Sequence, residues 1–124
     1  MARVLWISLA GAAGTAVRYL LTMAITQRFG PSFPAGTIVV NLTGCFIMAA
    51  VMTASAALGW SATVRMVVTV GFLGGFTTYS SFNQETMMLW ERGATSAAVL
   101  NLAVTLLGGL AAGWLGMVVG RQLN

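Results

Sequence analysis

The chain has 124 residues, 58% of them hydrophobic and only 6% charged, with a mean hydropathy of +0.88. A soluble domain carries about 25% charged residues, so this composition excludes a water-soluble surface and selects lipid as the surrounding solvent. There are six arginines, two acids, no histidine and no lysine, which excludes a His-dependent triad, a His/Cys zinc site, a lysine Schiff base and a Walker-type lysine; the net charge of +4 is scattered and forms no basic patch for nucleic acid.

Crossing roughly 30 Å of hydrocarbon takes about 20 apolar residues in a helix, and the sequence holds four such runs in a single transmembrane domain covering residues 1–124. The first is Val4–Thr26. Its basic, apolar, small-residue opening (Arg3, Val4 to Leu9, Ala10-Gly11-Ala12) has the order of a cleavable leader. The apolar character resumes and continues to Ile25, so the run reads as one span. It closes at Gln27-Arg28-Phe29-Gly30-Pro31. Every arginine except Arg18 sits near the end of an apolar run, where long cationic side chains snorkel to the interface. Arg18 lies deep in the first run, where insertion costs about 2.5–3.5 kcal/mol. Two roles stand open for it: an anion attractor at the mouth of a watery vestibule, or a structural partner for Glu85 or for helix carbonyls.

The second run, Pro34–Leu58, opens on a proline, whose missing N–H costs little at a helix start. It closes at Gly59-Trp60-Ser61. Thr37, Asn41 and Gly44 fall at i, i+4 and i+7 and so share a face. An amide in lipid needs a partner, which leaves Asn41 as an interhelical hydrogen bonder or as a pore-lining donor. Cys45, the single cysteine, cannot form an intrachain disulfide and is expected to be a packing residue.

The third run, Ala62–Glu91, contains Gly71-Phe72-Leu73-Gly74-Gly75-Phe76-Thr77-Thr78-Tyr79-Ser80-Ser81-Phe82. Three glycines followed by a hydroxyl-rich stretch make a poor continuous helix. A break at membrane depth survives only where protein or water satisfies the freed backbone, and such breaks offer carbonyls to Na⁺ and N-termini to anions. Tyr79 and Phe82 stand at i and i+3, so their ring edges, which are electropositive, share a face. Ser80 and Ser81 add donors. Glu85, a turn further on, argues against a purely anion-attracting path unless Arg18 or a hydroxyl pairs with it. The fourth run, Thr95–Gly120, places Gly109, Gly113, Gly116 and Gly120 on one face for close helix packing, and Gly11 and Gly14 give the first run a shorter version.

Four spans put both termini on one side, with Arg3, Arg65 and Arg121 there and Arg28 and Arg92 opposite. That imbalance is weak, so a single orientation and insertion both ways remain open. The chemistry points to permeation of a small ion past neutral donors and does not by itself choose the ion.

Taken in order, Gly11-Ala12-Ala13-Gly14 with Arg18-Tyr19, Pro34-Ala35-Gly36-Thr37 leading to Val40-Asn41-Leu42-Thr43-Gly44, and the Gly71–Phe82 motif resemble the Fluc (CrcB) family of fluoride channels over the whole chain. The resemblance implies an all-α membrane protein of four transmembrane helices with a break in the third. It implies an antiparallel, dual-topology homodimer in the bacterial inner membrane, exporting fluoride passively and lowering its cytoplasmic toxicity. It also implies a fluoride pore at Asn41, Tyr79, Ser80, Ser81 and Phe82, Arg18 near a vestibule, and a structural Na⁺ held by the Gly74 and Thr77 carbonyls of each subunit. The chain departs from the family pattern at Tyr79, usually Phe, and at Gly108-Gly109, where a Ser beside a Gly is frequent. A four-span multidrug-type exporter would need a carboxylate in its first span, where this chain has Arg18. A non-transporting scaffold would leave the hydroxyl-rich break unexplained.

Overall fold

The computed structural model describes residues 1–123 and is helical throughout its spans. Helix α1 is Ala2–Phe29, α2 is Ala35–Ala54, α4 is Tyr79–Glu91 and α5 is Thr95–Gln122. Helix α3 begins at Ala62–Met66, widens into a π-helix at Val67–Leu73 and ends in the turn Gly74–Phe76. Thus α3 and α4 together form the broken third span. Three of these helices, α1, α2 and α5, are long and apolar enough to cross a membrane unaided. The protein is a multi-pass membrane protein.

Local chemistry sets the ends. Gly30 closes α1 with φ 85°, a conformation that favours glycine, and its N–H donates to Thr26 O at 2.8 Å. Helix α2 ends at Ala54, earlier than the Leu58 read from hydropathy. Residues 55–59 wind on as turns, with Leu58 N–H on Ala54 O and Trp60 N–H on Ser55 O. Ser61 caps α3 by accepting the Val64 N–H at 3.2 Å. Thr69 returns its hydroxyl to Arg65 O at 2.8 Å, a back-bond of the kind that bends helices, just where the π-helix begins.

The most extensive helix contact is α2 on α5, and α1 packs chiefly on the π-helical part of α3. Small residues make both possible. A Cβ at Gly116 would collide with Phe46 O of α2, and one at Gly14 with Phe72 O of α3. Val40, Leu73 and Phe76 form the buried centre, with Leu21, Ile47, Met48, Val68 and Phe72 against it. Large apolar residues such as Leu107, Leu110 and Trp114 face outward, which is costly in water and neutral in lipid. Across the bundle Asn101 Nδ2 donates to Thr86 Oγ1 at 2.8 Å, both residues being buried, and this joins α5 to α4.

Candidate functional site

The break falls at Thr77-Thr78, where the glycines give way to the hydroxyl-rich stretch. Gly71 and Gly75 are helical and serve close approach to α1. Thr77 turns both its N–H (3.0 Å) and its hydroxyl (2.9 Å) to Leu73 O, ending the turn. Thr78 is extended, with φ −152° and ψ 115°, and restarts the chain as the N-cap of α4. Its hydroxyl accepts the Ser81 N–H at 3.2 Å and donates to Ser81 Oγ at 3.0 Å.

Asn41 of α2 reads the break. Its Nδ2 donates to Thr78 O at 2.9 Å, and its Oδ1 accepts the Thr78 N–H at 2.8 Å. This double contact imitates a strand pair with a single residue and orients the amide unambiguously. An Asn amide has two N–H donors, so one remains beyond the bond to Thr78. Asn41 also lines a cavity of about 610 Å³ between α2, the break and α5, together with Tyr79 and Phe82. The two readings of Asn41 are therefore compatible: it is an interhelical hydrogen bonder whose amide edges a cavity.

Around that cavity Tyr79 is 76% exposed, whereas Phe82 is 4% exposed. Their ring centroids are 5.7 Å apart in an edge-to-face arrangement at 63°. Ser80 is exposed, its hydroxyl 3.3 Å from Thr78 Oγ1. Cys45 is exposed and lines the same cavity, with its Sγ beside Gly109 of α5. A Cβ at Gly44 would collide with the Thr77 methyl, so glycine there lets the break lie against α2. Of the glycine face on α5, Gly116 and Gly120 pack on α2, while a Cβ at Gly113 would meet nothing and the residue opens onto the cavity.

A second cavity, of about 270 Å³, lies on the other side of Thr78 and holds Arg18, Thr37, Ser81 and Glu85. Glu85 takes a hydroxyl for its partner: Thr37 Oγ1 donates to Oε1 at 2.7 Å. Its Oε2 is buried with no hydrogen-bond partner, so Arg18 and Glu85 share a cavity without bonding. The structure thus brings Asn41, Tyr79 and Phe82 together in one space and Arg18 and Ser81 together in another, with Thr78 on both. Thr78, Thr15 and Thr22 escaped the reading from sequence. The last two stand at helical spacing from Arg18, on its face of α1, which was the available signal.

For a cation, the described residues offer no cluster of acidic, His or Cys ligands. Backbone oxygen is the alternative. In an unbroken helix the Thr78 N–H would bond Gly74 O and the Ser81 N–H would bond Thr77 O. Here the first donates to Asn41 and the second to the Thr78 hydroxyl. Gly74 O and Thr77 O therefore lose their helical donors, and neutral carbonyl oxygens of this kind suit Na⁺.

A family model described as CrcB-like protein, Camphor Resistance (CrcB), matches residues 5–117. A fluoride-specific ion channel FluC of Sorangium cellulosum is 48% identical over 124 residues, covering 99% of this chain and 98% of its own. Proteins of the same description from Anaeromyxobacter dehalogenans and Citrifermentans bemidjiense are 44% and 42% identical, each over 99% of this chain and over 98% and 100% of their own lengths.

Proposed function

The chain belongs to the CrcB-like family, and on that premise we propose that it is a fluoride-selective channel exporting fluoride passively across the bacterial inner membrane. It acts by permeation and not as an enzyme. The observation that carries this reading is the gathering of uncharged donors at one break: the Asn41 amide, the Ser80 and Ser81 hydroxyls, and the edges of Tyr79 and Phe82. Fluoride is small and strongly hydrated. A filter passes such an ion only by replacing its water with closely spaced donors, and it passes larger halides poorly when those donors leave little room. Ring edges and amide N–H groups do this without a fixed positive charge that would trap the ion. Arg18, beside the second cavity, raises the local anion concentration ahead of that filter.

In this reading the functional unit is an antiparallel homodimer of dual topology. Support comes from the near balance of arginines on the two sides and from Tyr79, a pore residue that is 76% exposed in one copy and needs covering. Na⁺ would be held by the Gly74 and Thr77 carbonyls of each copy, two neutral oxygens per chain calling for a second chain to complete the shell. When bound, the ion supplies a fixed positive charge that ties the two breaks together.

The test is efflux from liposomes holding the purified protein, followed with fluoride and chloride electrodes in parallel. Fast fluoride release with negligible chloride release is expected. Chloride passing as readily as fluoride would refute the selectivity argued from the donors.

A further inference from the structure

Two features go beyond the reading above, which drew on Arg18 alone of their residues. One is a third cavity, of about 220 Å³, where the turn between α1 and α2 meets the end of α4; Thr26, Ser32, Phe33, Glu85 and Arg92 are among its walls. The other is a polar row on α1. Thr15, Arg18, Thr22 and Thr26 follow at spacings of three and four and so lie along one helix face. The first three line the 270 Å³ cavity and the fourth lines the outer one. Across from them α4 places Ser81 on the inner of these two cavities, Glu85 on both, and Arg92 on the outer.

The three cavities therefore adjoin in sequence. Glu85 is common to the outer and middle ones, and Thr78 to the middle and the 610 Å³ one. Polar side chains in a membrane protein face the bundle interior or water-filled space; Thr15 bonds Gly75 O at 3.4 Å and Thr22 packs on Gly36, and all four residues of the row also line the middle or the outer cavity. At its outer end Arg92 Nη2 donates to Ser32 O. That bond ties the two turns together and holds a guanidinium at the cavity while Arg92 stays exposed to solvent. Further in, the Thr37 hydroxyl holds the Glu85 carboxyl by Oε1 at the junction.

We infer that this outer cavity is the entry of the fluoride path, with Arg92 collecting anions at its mouth and the threonine row of α1 forming the wall that leads past Glu85 to Ser81 and Thr78. The inference rests on the fluoride-channel reading and adds to it the route by which the ion reaches the break.

Full-length variants in liposomes test it at two ionic strengths, set with an impermeant salt. One unit charge a few ångströms from a monovalent anion in water changes its local concentration roughly three- to sixfold. Arg92→Gln is expected to lower fluoride efflux by that factor at about 10 mM salt and to approach the wild-type rate at about 1 M, where the Debye length is about 3 Å. Arg92→Lys should restore the low-salt rate. A deficit equal at both salt concentrations would assign Arg92 to holding the turns together and overturn its role as collector. Thr26→Trp fills the outer cavity and should cut efflux roughly tenfold, whereas Phe29→Trp, on an exposed position outside it, should not. Ser32→Trp reads the same cavity if Thr26→Trp does not elute as folded protein. Wild-type rates in a folded cavity-filling variant overturn the route and leave the channel reading standing. Absence of fluoride efflux from the wild type overturns both.

Discussion

Asn41 is the residue on which the broken span depends, and its truncation gives the sharpest test. Asn41→Ala removes two hydrogen bonds at once, at 2.9 and 2.8 Å, and leaves the Thr78 C=O and N–H without their side-chain partner. Thr78 is part-buried, and a polar group stripped of its partner costs at most about 1–3 kcal/mol, so the pair sets a ceiling of about 6 kcal/mol. The N–H has an alternative, however. Gly74 O lies one turn back, where an unbroken helix would use it, and recapture returns about 1 kcal/mol while closing the break. The expected loss is therefore about 2–4 kcal/mol. It should appear as a lower melting temperature by circular dichroism in detergent, together with faster hydrogen exchange at the Thr78 amide. Asn41→Asp separates the two bonds. It keeps an acceptor for the Thr78 N–H but sets an anionic oxygen against Thr78 O, so it should be no more stable than the alanine variant and should pass less fluoride. A wild-type melting temperature for Asn41→Ala, or wild-type fluoride efflux through Asn41→Asp, would refute the argument.

Other contacts give simpler expectations. Thr37→Val deletes the one hydrogen bond that the Glu85 carboxylate makes among the described residues, and leaving both its oxygens without a partner should cost about 1–3 kcal/mol in thermal unfolding, with Thr37→Ser close to wild type. Gly116→Val drives a side chain into Phe46 O and should separate α5 from α2, whereas Gly113→Ala meets nothing and should fold normally, as gel filtration will report. Asn101→Leu deletes the bond to Thr86, whose hydroxyl keeps its own bond to Phe82 O at 2.7 Å, and should lower stability by about 0.5–1.5 kcal/mol without touching either cavity beside the break. Phe82→Ala should cost about 3–5 kcal/mol as a cavity in a buried site and abolish efflux, while Tyr79→Phe keeps the ring edge and should conduct within about twofold of the wild type.

The fold was legible where one physical rule dominates. A run of about 20 apolar residues has few places to be except across a bilayer, and the glycine row of α5 announced a close helix contact, which Gly116 and Gly120 make with α2. The break was legible within the Gly71–Phe82 stretch, ahead of Tyr79. Gly71 and Gly75 are helical and lie against α1, while the interruption falls on Thr77-Thr78, where Asn41 takes the Thr78 N–H and the Thr78 hydroxyl takes the Ser81 N–H. The pairing of Asn41 with Thr78 was out of reach. It joins residues 37 positions apart through a backbone whose local conformation no periodicity encodes. Glu85 was nearer to hand: a hydroxyl or Arg18 had to meet it, and the choice of Thr37 depended on how α2 lies against α4.

The same geometry explains why stability and conduction are hard to separate at Asn41 and easier to separate at Tyr79. The break leaves two carbonyls, those of Gly74 and Thr77, without their helical donors, because Asn41 and the Thr78 hydroxyl take the N–H groups that would otherwise bind them. One side chain therefore edges the 610 Å³ cavity, fixes its wall and leaves backbone oxygen without its helical donor. A change at Asn41 alters all three together, so a loss of flux there cannot be assigned to lost ion contact unless stability is measured beside it. Tyr79 is different. It hangs from the first turn of α4 with most of its surface exposed, and no hydrogen bond of the break depends on its ring. Changes at Tyr79 should move conduction while leaving the melting temperature in place, and it is there that the contribution of ring edges to fluoride passage can be measured without confounding the fold.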